Sequence, residues 1–303
     1  MRTFTADAVQ SAHNKMVTLI DPDNLAQVLG PDRGDFNLNM GTAIEESLQT
    51  LNVLVGLDIP EEARVLEVGA GYGLASVCLA LMGFSVTALE PGGTGFDENR
   101  QISSLIIARA GVTISHIDQS AETFDFSEIP QFDLIISNNV LEHIPDVDAA
   151  LSNLYGAMNA DGIMVHSCPN YTFPFEPHFG RPLVPFAPRL TQYLISKGIR
   201  EDGVWRSLNF VTARQVKRNA KLHGLLCEFR RGTMATSIRR LTVDEEFAER
   251  HALLALMVRN RILRAVVTRC LSLPVTFATP MEFVVGREDR TNSKCVKAWA
   301  QNR

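Results

Sequence analysis

Arg64-Val-Leu-Glu-Val-Gly-Ala-Gly-Tyr-Gly73 decides how the rest of the chain is arranged. Val65, Leu66 and Val68 form a short apolar run of the kind that makes a strand buried on both faces, and the run breaks into glycine at positions 69, 71 and 73. A strand ends there and a helix begins. Alternate glycines let the backbone turn tightly and keep side chains away from a ligand, while the first helical turn aims unpaired N–H groups at the same place. Such a turn cradles a cofactor. The dinucleotide fingerprint requires glycine at position 74, where this chain has Leu74, so the spacing argues against a pyrophosphate. Glu67, at the strand end, would repel a phosphate but could hold a cationic or amino-bearing ligand.

Working outward, Ser85-Val-Thr-Ala-Leu-Glu90 reads as the next strand, with Glu90 at its end. In doubly wound folds an acidic residue at this separation from the glycines accepts hydrogen bonds from both ribose hydroxyls. Pro91-Gly-Gly-Thr-Gly95 reads as a loose turn beneath a nucleoside, and a helix is expected from Asp97 to Ala110, followed by a strand over 112–117. Phe132-Asp-Leu-Ile-Ile is a further buried strand, running into Ser137-Asn-Asn at the carboxyl edge, where open α/β sheets bind ligands. A helix over 147–158 and a strand over 162–168 complete the parallel part.

The Glu-x-Gly-x-Gly-x-Gly pattern, Glu90 and the Phe132–Pro145 segment, in this order, resemble the motifs of class I S-adenosylmethionine-dependent methyltransferases, and the resemblance extends over residues 64–168. It implies an α/β fold, a Rossmann-like doubly wound seven-stranded sheet that is mostly parallel with an antiparallel terminal strand. It implies S-adenosylmethionine as cofactor, held by Glu67, Gly69, Ala70, Gly71, Tyr72, Gly73, Glu90 and Pro91. Ala121 and Glu122 would sit at the adenine, and Asn138 or Asn139 at the methionine end. The Val-Leu-Glu-His-Ile continuation resembles a large small-molecule subgroup. Leu225–Arg231 and Met281–Arg287 match the strand pair that ends such a sheet.

These elements lie in one expected domain: a helical N-terminal extension over 1–62, the cofactor core over 63–168, an acceptor loop over 169–211, and a C-terminal part over 212–303 with a helical insertion at 234–279. In the extension, Ile44, Leu48, Leu51 and Val55 recur at helical spacing, Thr42 is a candidate N-cap, and residues 35–41 read as a polar loop. Residues 169–185, rich in proline and aromatics, read as a stiff pocket wall over the cofactor, with Asn170, Tyr171, Glu176 and His178 as polar contacts. This loop resembles one in bacterial methyltransferases associated with cell-surface polysaccharide assembly. His143 and His178 are candidate bases for an acceptor hydroxyl, and Glu176 is placed to pair with His178 or orient the hydroxyl. His166, His178 and Glu176 show no ligand spacing, so no metal is expected.

Charge is divided unevenly along the chain. Residues 1–180 carry 6 Lys and Arg against 24 Asp and Glu, whereas residues 181–303 carry 23 against 10. The basic part points to an anionic acceptor or surface, or to pairing with the acidic part. Asp244–Leu273 interleaves five arginines from Arg250 to Arg269 with leucine, isoleucine and valine, a pattern that fits a lid or a helix lying on an anionic membrane. Five scattered cysteines without C-x-x-C pairs argue against a disulfide framework and a zinc site. No run approaches the roughly 20 apolar residues of a spanning helix, so the reading is a cytoplasmic protein, with the inner membrane face as its one membrane contact.

The expected activity is methyl transfer to oxygen of a small or saccharide-like acceptor, anionic or lipid-linked. The alternatives are an NAD-dependent oxidoreductase, which the glycine spacing disfavours, and a nucleic-acid methyltransferase. The latter lacks its Asn-Pro-Pro-Tyr signature, since Ser137-Asn-Asn-Val occupies that place. A non-enzymatic binding protein on the same fold is the third. The sequence sets no oligomeric state.

Overall fold

The computed structural model describes residues 1–29, 36–91, 97–243, 274–287 and 290–301, with Ala248, Ala255, Leu256 and Val258 between them. In chain order the elements are β1 (Arg2–Thr3), α1 (Ala6–Ile20), α2 (Pro22–Leu29), α3 (Phe36–Val53), β2 (Asp58–Ile59), β3 (Arg64–Val68), α4 (Leu74–Leu81), β4 (Ser85–Leu89) and α5 (Asp97–Ala110). Then come β5 (Ser115–Ile117), β6 (Phe132–Asn138), α6 (Val147–Ala157), β7 (Met158–Cys168), β8 (Phe175–Glu176), β9 (Arg181–Pro182), α7 (Lys197–Glu201) and α8 (Gly203–Ser207). The chain continues with α9 (Ala213–Leu222), β10 (Leu225–Phe229), α10 (Thr233–Val243), β11 (Met281–Arg287) and α11 (Arg290–Gln301).

Seven strands form one sheet in the order β10-β11-β7-β6-β3-β4-β5. Pairing of β3 with β4, of β3 with β6 and of β4 with β5 is parallel. The order reverses at β3, whose neighbours are β4 on one side and β6 on the other, and this is where a doubly wound sheet opens its ligand crevice. Register places Glu67 beside Ile136, so Gly69 and Asn138 emerge at the same edge.

Contacts divide the chain into two compact units, one of Met1–Asn138, Ala149–His166 and Gly286–Cys295, the other of Asn139–Asp148, Ser167–Val285 and Val296–Arg303. In the first unit, Val65 and Leu66 of β3 and Leu134 and Ile135 of β6 are excluded from solvent, as continuous apolar runs dictate. Helix α1 starts where the Thr5 hydroxyl accepts from the Ala8 amide, and it buries Val9, Met16 and Ile20. Arg109 finishes α1 by donating to the Ile20 carbonyl at 2.7 Å. In the second unit, the Thr212 hydroxyl caps α9 by accepting from the Gln215 amide, and Ala213, Val216 and Ala220 form its buried face. Arg230 pairs with Glu282 at 3.2 Å and lies 4.0 Å over the Trp299 ring, so this buried guanidinium is matched by both a carboxylate and a π face.

Several boundaries differ from the sequence expectation. Residues 36–41 belong to α3, so Thr42 lies inside that helix and caps nothing, and the polar stretch is helical. Strand β5 covers only Ser115–Ile117. Strand β7 begins at Met158 rather than at 162, so Gly162 lies inside it, where a Cβ would stand 2.6 Å from the Phe132 carbonyl oxygen; only glycine fits there. Gly92–Gly95 of the turn after β4 and the arginine-rich stretch Asp244–Leu273, apart from Ala248, Ala255, Leu256 and Val258, lie outside the described residues. Among the described residues no helix is long and apolar enough to cross a membrane.

Candidate active site

The glycine turn is built by main-chain bonds. Gly69, Gly71 and Gly73 have φ of 70°, 52° and 74°, the left-handed region that side chains rarely adopt. Gly69 donates to the Leu89 carbonyl at 2.8 Å and Gly73 to the Ala70 carbonyl at 2.7 Å. These two bonds fix the turn to β4 and close it ahead of α4. A Cβ at Gly73 would meet the Ser103 hydroxyl at 2.8 Å, whereas one at Gly71 would meet nothing within 4 Å. The turn is therefore packed against α5 on one side and borders open space at Gly71.

Glu90 lies at that open position, its Oε2 accepting from the Gly71 amide at 3.1 Å. Burial raises its pKa and the Gly71 hydrogen bond opposes the rise. The amide thus orients the carboxylate while leaving acceptor capacity for a diol. Glu67 sits differently: it is buried and bonded to the Ser76 hydroxyl in the first turn of α4, and burial pushes its pKa up to about 7. Its carboxylate faces α4, with the proximity of Glu90 adding to the upward push.

Ala121 and Glu122 occupy the turn after β5. Ser120 donates to Glu122 Oε2 at 2.5 Å, and Asn153 of α6 donates to the carbonyls of Ala121 and Phe124 at 3.1 and 3.0 Å. Asn153 escaped the sequence reading because an amide on a helix face carries no local signature of its target. Asn138 ends β6. Beneath it the Ser137 hydroxyl meets Nδ1 of His166 at 2.7 Å, and burial lowers the His166 pKa to about 3. Tyr72, Ala70 and Pro91 are half-buried on the same turn and strand end.

Asn139 opens the second unit with φ 55°, its amide donating to the Ser167 carbonyl at 2.9 Å. The single 3₁₀ turn Leu141–His143 follows, and Asn209 holds it in shape. Asn209 Nδ2 donates to the Leu141 and Ile144 carbonyls at 2.6 and 2.7 Å, and its own amide donates to the Glu142 carbonyl at 2.9 Å. Asn170 braces backbone in a comparable way, since its amide group donates to the Thr276 and Ala278 carbonyls and its oxygen accepts from the Thr172 and Ala213 amides. That side chain is spent on backbone, which separates it from the acceptor contacts expected of this loop.

The braces bring Glu142, His143, Glu176 and His178 together. His178 Nδ1 lies 2.5 Å from Glu176 Oε1, and its Nε2 lies 3.9 Å from Glu142 Oε1. His143 Nε2 lies 4.0 Å from the same Glu142 oxygen, and its Nδ1 meets the Ser207 hydroxyl at 2.7 Å. Both glutamates are fully buried, while the imidazoles are about a quarter exposed, at 28% and 27%. Burial pushes Glu176 up, but the His178 hydrogen bond and charge and the Phe179 amide more than offset it, leaving its pKa below the ordinary value. Burial, with His178 beside it, lowers the His143 pKa to about 4, so His143 is neutral at pH 7 and a weak base. Tyr171 donates to Glu176 Oε1 at 3.3 Å, and burial with the two glutamates raises its pKa.

Helix α8 carries Ser207, and Trp205 and Arg206 of the same helix line a pocket of about 560 Å³ with Arg189, Gln192, Arg200, Glu201, Leu208 and Phe210. Its lining holds three arginines and one carboxylate, and Lys197 lies 3.8 Å from that carboxylate. Trp205 meets Phe179 and Phe210 edge-on, at 6.2 and 6.0 Å between ring centroids. Ser207 and the pocket have no counterpart in the sequence analysis, and Glu142 appears there only within the Val-Leu-Glu-His-Ile stretch, without a role. The one signal for Glu142 was its place beside His143 on a short turn after a buried strand.

A glycine turn at the reversal of a seven-stranded sheet, with a carboxylate held at the next strand end, defines a nucleoside-binding α/β enzyme. The methyltransferase domain model matches residues 40–227, and the chain belongs to that family of S-adenosylmethionine-dependent enzymes. An uncharacterized protein of Mycobacterium tuberculosis is 37% identical over 202 residues, covering 64% of this chain and 68% of its own length. A ubiquinone biosynthesis O-methyltransferase of Paramagnetospirillum magneticum is 34% identical over 112 residues, which is 37% of this chain and 43% of that protein. Among solved structures, phosphoethanolamine N-methyltransferase 2 of Haemonchus contortus aligns with a TM-score of 0.49 and 15% identity, over 84% of this chain and 58% of that one.

Proposed function

We propose that this methyltransferase modifies a hydroxyl oxygen of a small, saccharide-like and anionic acceptor. The observation that carries the reading is α8: five residues place Trp205 and Arg206 in an arginine-lined pocket and Ser207 against His143. An anionic group seated by Arg189, Arg200 and Arg206 leaves its hydroxyl end toward the histidine cluster, and the aromatic rings suit the apolar face of a sugar. Oxygen as the methylated atom is supported by the O-methyltransferase relative and by a cluster equipped to take up a proton.

When bound, S-adenosylmethionine supplies an electrophilic methyl carbon that the acceptor oxygen attacks in line. Open space beside Gly71 and the oriented Glu90 carboxylate fit its nucleoside, with Ala121 and Glu122 assigned to the adenine and Asn138 and Asn139 to the methionine end. Glu176 holds the His178 proton on Nδ1, which leaves Nε2 as the basic atom for the acceptor's proton. A lipid-linked acceptor, with the arginine-rich stretch 244–273 resting on an anionic membrane, is the wider form of the proposal, and co-sedimentation with anionic liposomes at low salt tests it. A labelled-methyl screen over phosphorylated sugars, nucleotide sugars, lipid-linked glycans and their neutral counterparts tests the acceptor. Transfer confined to anionic hydroxylic acceptors is expected, and transfer only to amines or neutral compounds would overturn the reading.

A further inference from the structure

We infer that Glu142, His143 and His178 form a site for a divalent first-row transition metal ion, such as zinc, manganese, iron or cobalt. One ligand atom from each lies within 4.8 Å of the others. The hydrogen bonds around them settle which atoms these are. Ser207 spends its hydroxyl proton on the Val204 carbonyl at 2.8 Å, so its oxygen accepts from His143 Nδ1–H, and His143 carries its lone pair on Nε2. Glu176 accepts from His178 Nδ1–H, so the His178 lone pair is also on Nε2. Two imidazole nitrogens with lone pairs therefore lie 4.0 and 3.9 Å from Glu142 Oε1, and all three atoms are within 4.8 Å of one another. Three acceptors gathered so closely attract a cation.

The surrounding contacts are those of a ligand set. Metal-binding histidines hand their second ring N–H to a carboxylate or other acceptor, which fixes the ring and raises its basicity; here Glu176 and Ser207 do this. Zinc–ligand bonds of about 2.0–2.2 Å place donor atoms about 3.3–3.6 Å apart, and the two imidazole nitrogens lie within about half an ångström of that separation from Glu142 Oε1, at 4.0 and 3.9 Å. Two imidazoles and one carboxylate suit borderline ions better than magnesium or calcium, and they leave coordination positions open. Both imidazoles are about a quarter exposed, which gives an ion and a further oxygen ligand a way in. Glu142 lies more than thirty residues from His178 in sequence, so spacing alone hid the set.

Ion binding stands independently of the acceptor reading; its use in catalysis rests on that reading. With an ion on Nε2, the acceptor hydroxyl would bind at an open coordination position, be acidified there, and lose its proton to water rather than to His178.

The test uses the full chain freed of metal by chelation, titrated with Zn²⁺ against a chromophoric chelator and with Co²⁺ by visible absorption. One equivalent per chain is expected, with the Co²⁺ ligand-field bands of a low-coordinate nitrogen and oxygen site. His178→Asn should weaken Zn²⁺ binding by about 100-fold or more and Ser207→Ala by about tenfold, while His223→Asn leaves it unchanged. Because His178 and Ser207 are not core residues, these variants remain informative if Glu142→Gln fails to fold. Absence of a stoichiometric site, or affinity unaltered in His178→Asn, would overturn the inference. S-adenosylmethionine binding and methyl transfer by the chelated protein are read alongside. Transfer without any metal site removes this inference alone, and a metal site without cofactor binding removes the methyltransferase reading alone.

Discussion

The glycine turn and the histidine cluster are built in opposite ways. Main-chain bonds hold the turn, one of them within residues 69–73 and one to Leu89, with Glu90 added from the end of the same adjoining strand. Side chains hold the cluster, drawn from Glu142–His143, Glu176–His178 and Ser207–Asn209, with the Asn209 amide bracing the turn at 141–144. A turn whose glycines hold left-handed φ resists side chains at those positions, at Gly73 also because Ser103 stands 2.8 Å from where a Cβ would be. A cluster assembled from three stretches depends on each of its supports, and under the proposed function it is the part that meets the acceptor, apart from the turn assigned to the cofactor.

The sharpest way to break this contrast is Gly71→Val. Its left-handed φ of 52° costs about 1–2 kcal/mol in a branched residue, and the new side chain fills the open space assigned to the cofactor. Calorimetry should show S-adenosylmethionine affinity reduced by about 100-fold or more, with the Zn²⁺ affinity of the cluster unchanged. Glu90→Ala comes next: the lost charge-assisted bonds to the ribose should weaken cofactor binding by about 1–3 kcal/mol in the same titration. Arg206→Ala should raise KM for a charged acceptor by about tenfold, or about 1.4 kcal/mol, with cofactor affinity unmoved.

A smaller effect concerns His166, buried under the β6 end. Its unfolded value is 6.5 and burial lowers the folded one to about 3, so below pH 6.5 the unfolded chain takes up a proton that the folded chain refuses. Stability falls as pH falls. Between pH 6.5 and 5.5 this one residue should contribute a loss of about 1 kcal/mol, and denaturant curves of His166→Gln should lack that part of the slope.

The same contrast explains what could be read from sequence. A buried strand, glycines at 69, 71 and 73 and the acid at 90 are local features, and periodicity and backbone sterics expose them without knowledge of the rest of the chain. The sheet and its reversal follow from those and from Phe132–Asn138. Asn170 looked like a ligand contact because a polar residue in a proline-rich loop leaves its partners unstated; in the fold it satisfies backbone groups from 172, 213, 276 and 278. His178 and Glu176 were legible as a pair two residues apart, whereas Glu142 and Ser207 join them only through folding. Gly162 reads as the first residue of its strand, since glycine usually punctuates an element, yet β7 begins at Met158 and the close approach of Phe132 demands glycine inside it.

The proposed function assigns cofactor binding and acceptor chemistry to different residues of this chain, and His178→Asn tests that division directly. On one preparation, S-adenosylmethionine titration and labelled methyl transfer are measured together. The prediction is a cofactor Kd within about twofold of the parent protein and transfer reduced by about 100-fold or more, the scale of a lost acid–base group or, with an ion bound, of a lost metal ligand. Transfer at the parent rate, or cofactor affinity falling in step with transfer, would contradict it.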